Sequence, residues 1–124
     1  MLLHSFFEIE GVKEDEFGFL VDIKLQKNHP VYKGHFPDQP VAPGVFLIQM
    51  FVEILGELTN KNLRLESSAN TKFTAIVDPN ENPNMQVLVD FSFLDDETIK
   101  SRGILTKGDK KFFSIQGKFK VHNE

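Results

Sequence analysis

The residues able to move or steady a proton crowd into one stretch, Gly34 to Leu58. His35 stands near its start, and Gln49, Glu53 and Glu57 follow at intervals of four. Neutral imidazole accepts a proton near pH 7, and a carboxylic acid can supply one. Between them Pro37, Pro40 and Pro43 recur every third residue. Each removes a backbone donor and biases its predecessor toward extended geometry, so this half of the stretch is an irregular loop. Pro43 then stands near a first helical turn, where a missing N–H costs nothing. A histidine, a helix N-terminus and a polar stripe therefore meet where the chain turns inward.

The elements that must hold these groups can be read from hydrophobic period. From Val45 to Leu58 the apolar residues are so frequent that the helix has almost no polar side, which marks a buried helix. Gln49, Glu53 and Glu57 form its one narrow polar stripe. A carboxylate there is costly unless it is paired, solvated or used. Asn60-Lys61-Asn62 ends the helix. Upstream, Phe7, Ile9 and Gly11 form a short strand, Glu14-Asp15-Glu16 an acidic turn, and Phe17 to Leu25 alternates with period two. These two strands read as a hairpin, broken by Asn28-His29-Pro30. Downstream the chain reads as about four strands in meander order. Thr71 to Val77 alternates, then Met85 to Phe93, then Ile99 to Leu105, then Phe113 to Val121. Loops of turn composition fall at Asp78–Asn84, Asp95–Glu97 and Lys107–Lys110. One helix cannot bury its own apolar residues, and one sheet offers one apolar face, so the sheet wraps around the helix.

Composition sets outer bounds. The 124 residues form a single domain, 1–124, with 40% hydrophobic and 26% charged residues, as in an ordinary soluble globular protein. Thirteen Phe against one Tyr and no Trp favour a wide dry core or an apolar channel. A net charge of −4 argues against nucleic acid as the main partner, although an acidic carrier protein could dock on a local basic patch. There is no cysteine, so disulfides, thiol catalysis and thiolate metal sites are excluded. No apolar run approaches the ~18 residues of a membrane span, and the first residues are too soon acidic for a signal peptide, so the expected location is cytoplasmic. His4, His29 and His122 read as surface or loop residues, with His29 before Pro30 as turn chemistry. No ligand spacing supports a metal site from His4, His35 and Glu53.

The run His35-Phe36-Pro37-x-x-Pro40-x-x-Pro43-Gly44-Val45 resembles the active-site motif of the 3-hydroxyacyl-[acyl-carrier-protein] dehydratases of type II fatty acid synthesis, the FabZ/FabA-like family. Pro30-x-Tyr32-x-Gly34 upstream, and Lys72-Phe73 before a proline-containing loop, fit the same family. The resemblance covers roughly Phe6 to Val121. It implies an α+β hot-dog fold, an antiparallel sheet of about five to six strands around one long central helix. It also implies removal of water from 3-hydroxyacyl thioesters to give trans-2-enoyl thioesters, with no metal or organic cofactor. His35 would be the base, its ring oriented by the Val41 carbonyl. The amides of Gly44 and Val45, outward-facing at the helix start, would receive the developing enolate oxygen, and glycine lets a thioester approach closely. The substrate would be carried on acyl carrier protein or CoA. Relatives place the pocket between two subunits, the histidine from one and the helix carboxylate from the other, which implies a homodimer or a trimer of dimers, or a heterodimer with an active relative.

The chain departs from the family at one place. Fourteen residues after the histidine the family has Glu or Asp, and here stands Gln49. Four residues later the family often has Gln, and here stands Glu53. The pair looks exchanged, and the exchange moves the carboxylate about 6 Å along the helix axis. Three readings stand. Gln49 positions the hydroxyl or a water while His35 makes both proton transfers. Glu53 serves as the acid from a shifted position. Or dehydration is lost and the chain binds acyl groups or partners an active relative. A thioesterase of the same fold is the enzyme alternative, with Glu53 activating water. Gln49→Glu is expected to raise or preserve turnover.

Overall fold

The computed structural model describes residues 1–16, 18–33 and 39–122. Six strands and one long helix follow in the order β1 (Phe7–Asp15), β2 (Gly18–Leu25), α1 (Gly44–Thr59), β3 (Leu63–Phe73), β4 (Asn84–Phe93), β5 (Thr98–Lys107) and β6 (Lys110–Val121). A 3-10 turn at Pro30–Lys33 precedes the proline loop. The strands form one antiparallel sheet in the order β1-β2-β4-β5-β6-β3. The chain leaves β2, crosses the sheet as α1, returns as β3 at the opposite edge, and crosses back to lay β4 beside β2. That double crossing is what puts the helix in the hollow of the sheet.

Alternation decided which face of each strand meets the helix. Val21, Ile23 and Leu25 of β2, Met85, Val87 and Val89 of β4, Ile99 and Leu105 of β5, and Phe113, Ile115 and Phe119 of β6 are all buried. Against them α1 sets Leu47, Met50, Phe51, Ile54 and Leu55. Gly103 makes the closest approach possible. A Cβ there would stand 2.1 Å from Cε1 of Phe51, so the ring lies directly on the strand backbone. Phe51 also meets Phe119 at 5.6 Å between ring centroids. Where Leu47, Phe51 and Ile54 face Val87, Leu105 and Phe113 the packing leaves no cavity able to hold a water.

The helix ends as its sequence demands. Asn60 adopts the left-handed conformation (φ 56°), and the Lys61 amide donates to the Gly56 carbonyl at 3.0 Å.

The last four strands are not a simple meander, because β3 lies beside β6 and not beside β4, and β3 begins at Leu63, well before Thr71. Two further boundaries differ from the sequence reading. β1 runs through Asp15, so the acidic stretch Glu14-Asp15 belongs to the strand, which pairs with β2 down to Asp15 opposite Gly18. The Gly18 amide donates to the Asp15 carboxylate at 3.1 Å. The alternation of Thr71 to Val77 outlasts its strand. The Thr74 and Ala75 amides both turn to the Phe112 carbonyl, and Val77 leaves the sheet to accept a hydrogen bond from the Ala42 amide at 2.9 Å. Alternation records which side chains are covered, and here the covering persists after the ladder stops.

Candidate active site

Both ends of the proline loop are anchored. On the incoming side, Nδ1 of His29 accepts the Val31 amide at 3.0 Å, which is the turn chemistry expected of a histidine before proline. Its ring meets Phe6 and Phe46 edge-on, at 5.5 and 5.6 Å between centroids, and Phe6 stacks on Tyr32 at 6.0 Å. Phe46 lies on α1, so this aromatic group ties the 3-10 turn to the first turn of the helix. On the outgoing side, the Ala42–Val77 bond holds the last residues before α1. Between the anchors lies His35, which is outside the described residues. Val41 is half-buried beside the bonded Ala42.

The helix start is open. Pro43 is the N-cap, with φ −63° and ψ 144°, and no side chain caps it among the described residues. The amides of Phe46 and Leu47 both donate to the Pro43 carbonyl, at 3.0 and 3.2 Å. The amides of Gly44 and Val45 precede these, and no partner is found for them among the described residues. There is no acidic residue in the first turn, so no side chain of α1 offsets the positive end of its dipole. Val45 is 71% exposed. Gly44 lies against the ring of Phe73, itself 52% exposed and stacked on Phe113 at 5.1 Å. The sequence marked Phe73 as one of the alternating residues from Thr71 to Val77 and as part of a resemblance, and its place over Gly44 carried no local signal.

One turn further in, Gln49 is exposed on the same side as Val45. Its Nε2 donates to Oε2 of Glu53 at 2.9 Å. Glu53 is only 9% exposed, and the structure shows what makes that tolerable. Oε1 accepts the amides of Leu2 and Leu3, each at 2.8 Å, and Oε2 accepts the Leu2 amide again at 2.9 Å. The sequence predicted that a buried carboxylate needs partners. It gave no means of finding them some fifty residues upstream. Met1, Gln49, Val52 and Glu53 line one end of an open groove of about 480 Å³, and Asn60 and Lys61 line the other. A second, apolar recess of about 280 Å³ lies between β1 and the far half of α1, lined by Leu3, Ile9, Val12, Val21, Ile54 and Leu58. Glu57 is exposed. His4 is exposed as well, its Nδ1 2.7 Å from the Glu8 carboxylate, well apart in role from the stripe.

Among the described residues the site joins a helix start with no side-chain cap, a half-exposed aromatic ring and an amide–carboxylate pair. Residues 11–103 match the family described as ApeI-like, ApeI dehydratase. The chain belongs to the ApeI-like dehydratase family.

Curated relatives agree with that placement. The 3-hydroxyacyl-[acyl-carrier-protein] dehydratase FabZ of Rickettsia massiliae is 34% identical over 71 residues, covering 51% of this chain and 49% of that protein. The chain therefore spans about half the length of that relative. FabZ of Rickettsia canadensis is 29% identical over 103 residues, covering 73% of this chain and 72% of that protein. Among solved structures, the dehydratase heterocomplex ApeI:P from Xenorhabdus doucetiae superposes with a TM-score of 0.62 at 19% identity, over 90% of this chain and 96% of that one. A protein of the thioesterase superfamily superposes equally well, with a TM-score of 0.62 at 9% identity, over 94% and 84%. At such identities these two show the fold, and the fold is the hot-dog: one antiparallel sheet of six strands around a single long helix.

Proposed function

We propose that this ApeI-like chain is a dehydratase of 3-hydroxyacyl thioesters carried on acyl carrier protein or CoA. The observation that carries the reading is the alignment of Gln49 with the open start of α1, one turn apart on the exposed side of an otherwise buried helix. His35 takes the proton from the carbon next to the thioester carbonyl. The electrons of that C–H bond pass toward the carbonyl oxygen, which the Gly44 and Val45 amides steady. The bond between C3 and its hydroxyl then breaks. The hydroxyl leaves as water, with the proton that His35 removed, and a trans-2-enoyl thioester remains. Gln49 holds the hydroxyl in line for that return, and Val41 offers its carbonyl to the His35 ring. One base making both transfers needs no second acid.

Hydrolysis is the weaker reading. A thioesterase would need a carboxylate free to activate water, whereas both Glu53 oxygens accept hydrogen bonds from the protein. For quaternary structure, β3 lies at the sheet edge, bonded to β6 alone, and its outer side is where a second copy would continue the sheet.

Mass spectrometry of the purified protein with 3-hydroxyacyl thioesters of several lengths, on both carriers, tests the reading. The expected product is an intact thioester lighter by one water. A free acid with unloaded carrier would establish hydrolysis instead. Turnover only after addition of a relative with Glu at the Gln49 position would make this chain a partner subunit.

A further inference from the structure

Glu53 is a buried charge that the proposed reaction does not use. Its donors come from two directions. Leu2 and Leu3 present successive backbone amides because the segment around them is tightly coiled: the Ser5 and Phe6 amides donate to the Leu2 carbonyl at 3.0 and 2.7 Å, and the His4 amide to the Phe7 carbonyl at 2.8 Å. Consecutive amides turned to one side make a nest that fits a carboxylate. From the helix comes Nε2 of Gln49 at 2.9 Å. A carboxylate of this kind serves as acceptor, so it fixes which end of the Gln49 amide faces it. The NH2 points to Glu53, and Oε1 is turned away from it.

We infer that Glu53 is a positioning residue: it binds the Met1–Phe6 segment to α1 and, through Gln49, presents a carbonyl oxygen to the substrate's 3-hydroxyl. This rests on the reading that Gln49 meets that hydroxyl. An acceptor at this place takes the hydroxyl's own hydrogen and turns a lone pair of the departing oxygen toward the protonated imidazole. The exchanged order Gln49-then-Glu53 is then one device. Neither half works when changed alone: an amide at 53, with its oxygen held by the Leu2 and Leu3 amides, would turn its NH2 to residue 49 and either lose the contact or flip Gln49 so that its NH2 faces the substrate, and a carboxylate at 49 would set oxygen against oxygen.

The test compares Glu53→Gln, Gln49→Glu and the double exchange in the full chain. Three readouts are taken: turnover, hydrogen exchange at the Leu2 and Leu3 amides, and the side-chain amide resonances of Gln49 in nitrogen-15 spectra. In Glu53→Gln the two amides exchange faster, the Gln49 resonances move, and kcat falls about tenfold to a hundredfold while KM stays within about twofold. The double exchange, which restores an acceptor–donor pair in the opposite order, recovers much of that kcat. Unchanged exchange and unmoved Gln49 resonances in Glu53→Gln would overturn the inference whether or not the protein is active. So would faster exchange with undiminished kcat, which would leave Glu53 a purely structural anchor. Absence of dehydration by the wild type would refute the functional reading, and the two spectroscopic readouts would still decide whether Glu53 sets the Gln49 amide.

Discussion

The Cα of Gly44 lies so close under the ring of Phe73 that a Cβ on residue 44 would stand 2.9 Å from the ring's Cζ. A glycine at the helix start therefore suits this neighbour, and under the proposed function it also leaves room for an incoming thioester. Because Phe73 is half-exposed, its ring can yield. Gly44→Ala is expected to change stability by no more than about 1 kcal/mol, since alanine favours the helix while the ring is displaced. Turnover should suffer more, with kcat/KM down about tenfold or beyond as the methyl and the moved ring crowd the two open amides. Steady-state kinetics beside thermal melts separate the effects, and an equal loss in both would refute the role given to the amides.

His35→Ala is expected to lower dehydration about 10²- to 10⁴-fold, the range for losing a general base. The fold should survive, because the anchors at His29, Tyr32 and Ala42 do not involve that side chain. Circular dichroism and a melt should match wild type. Full activity in this variant would refute the assignment of the base.

Gln49→Glu alone is expected to destabilise the protein by about 1–3 kcal/mol, because a 2.9 Å donor–acceptor contact becomes a contact between two carboxylates. Sequence reasoning expected this change to preserve or raise turnover. Given the contact with Glu53, the outcome predicted here is the opposite: activity should fall unless Glu53→Gln accompanies the change. Urea denaturation of the two single variants and the double variant gives the coupling energy directly.

Tyr32 is 6% exposed, and its hydroxyl has no hydrogen-bond partner among the described residues. Burial first, and the charge of Asp78 second, push its ionisation far above the ordinary value of 10.0. With the folded value raised, the unfolded chain loses this proton first as pH climbs. The group's contribution is intact below about pH 10 and is lost progressively above it. Tyr32→Phe removes both the unsatisfied group and the titration. It should add about 1 kcal/mol at neutral pH and flatten the alkaline decline. Denaturation midpoints measured near neutrality and above about pH 10 test both halves.

Gly103→Ala would drive a methyl into the Phe51 ring, at 2.1 Å from Cε1, where the core has no spare room. A cost of about 3 kcal/mol is expected, partly recovered by trimming Phe51 to Leu. A melt of the single and double variants measures it.

The parts legible in the sequence were those that local pattern controls. Period two in Met85 to Phe93 and Phe113 to Val121 gave strands and their inner faces, and the near-total apolarity of Val45 to Leu58 gave the central helix. Asn60 marked its end because few other residues accept a left-handed conformation. Contacts between distant segments were not legible. Glu53 announced a need for donors, yet nothing in Met1-Leu2-Leu3 shows that backbone amides would supply them. Val77 alternates like a strand residue, yet its carbonyl serves Ala42. Backbone groups are the same in every residue, so the sequence does not say which of them will be spent outside the ladder.

The edge strand β3 is out of step with β6 twice, once between Leu65 and Ser67 and again between Ser68 and Asn70. Its outer row of amides and carbonyls therefore changes phase within a few residues. A straight foreign strand would match it only in short runs, which works against edge-to-edge stacking of one molecule on the next at that margin. A strand seated there along its whole length would need interruptions of its own at matching places, a demand made on the backbone before any side chain is read.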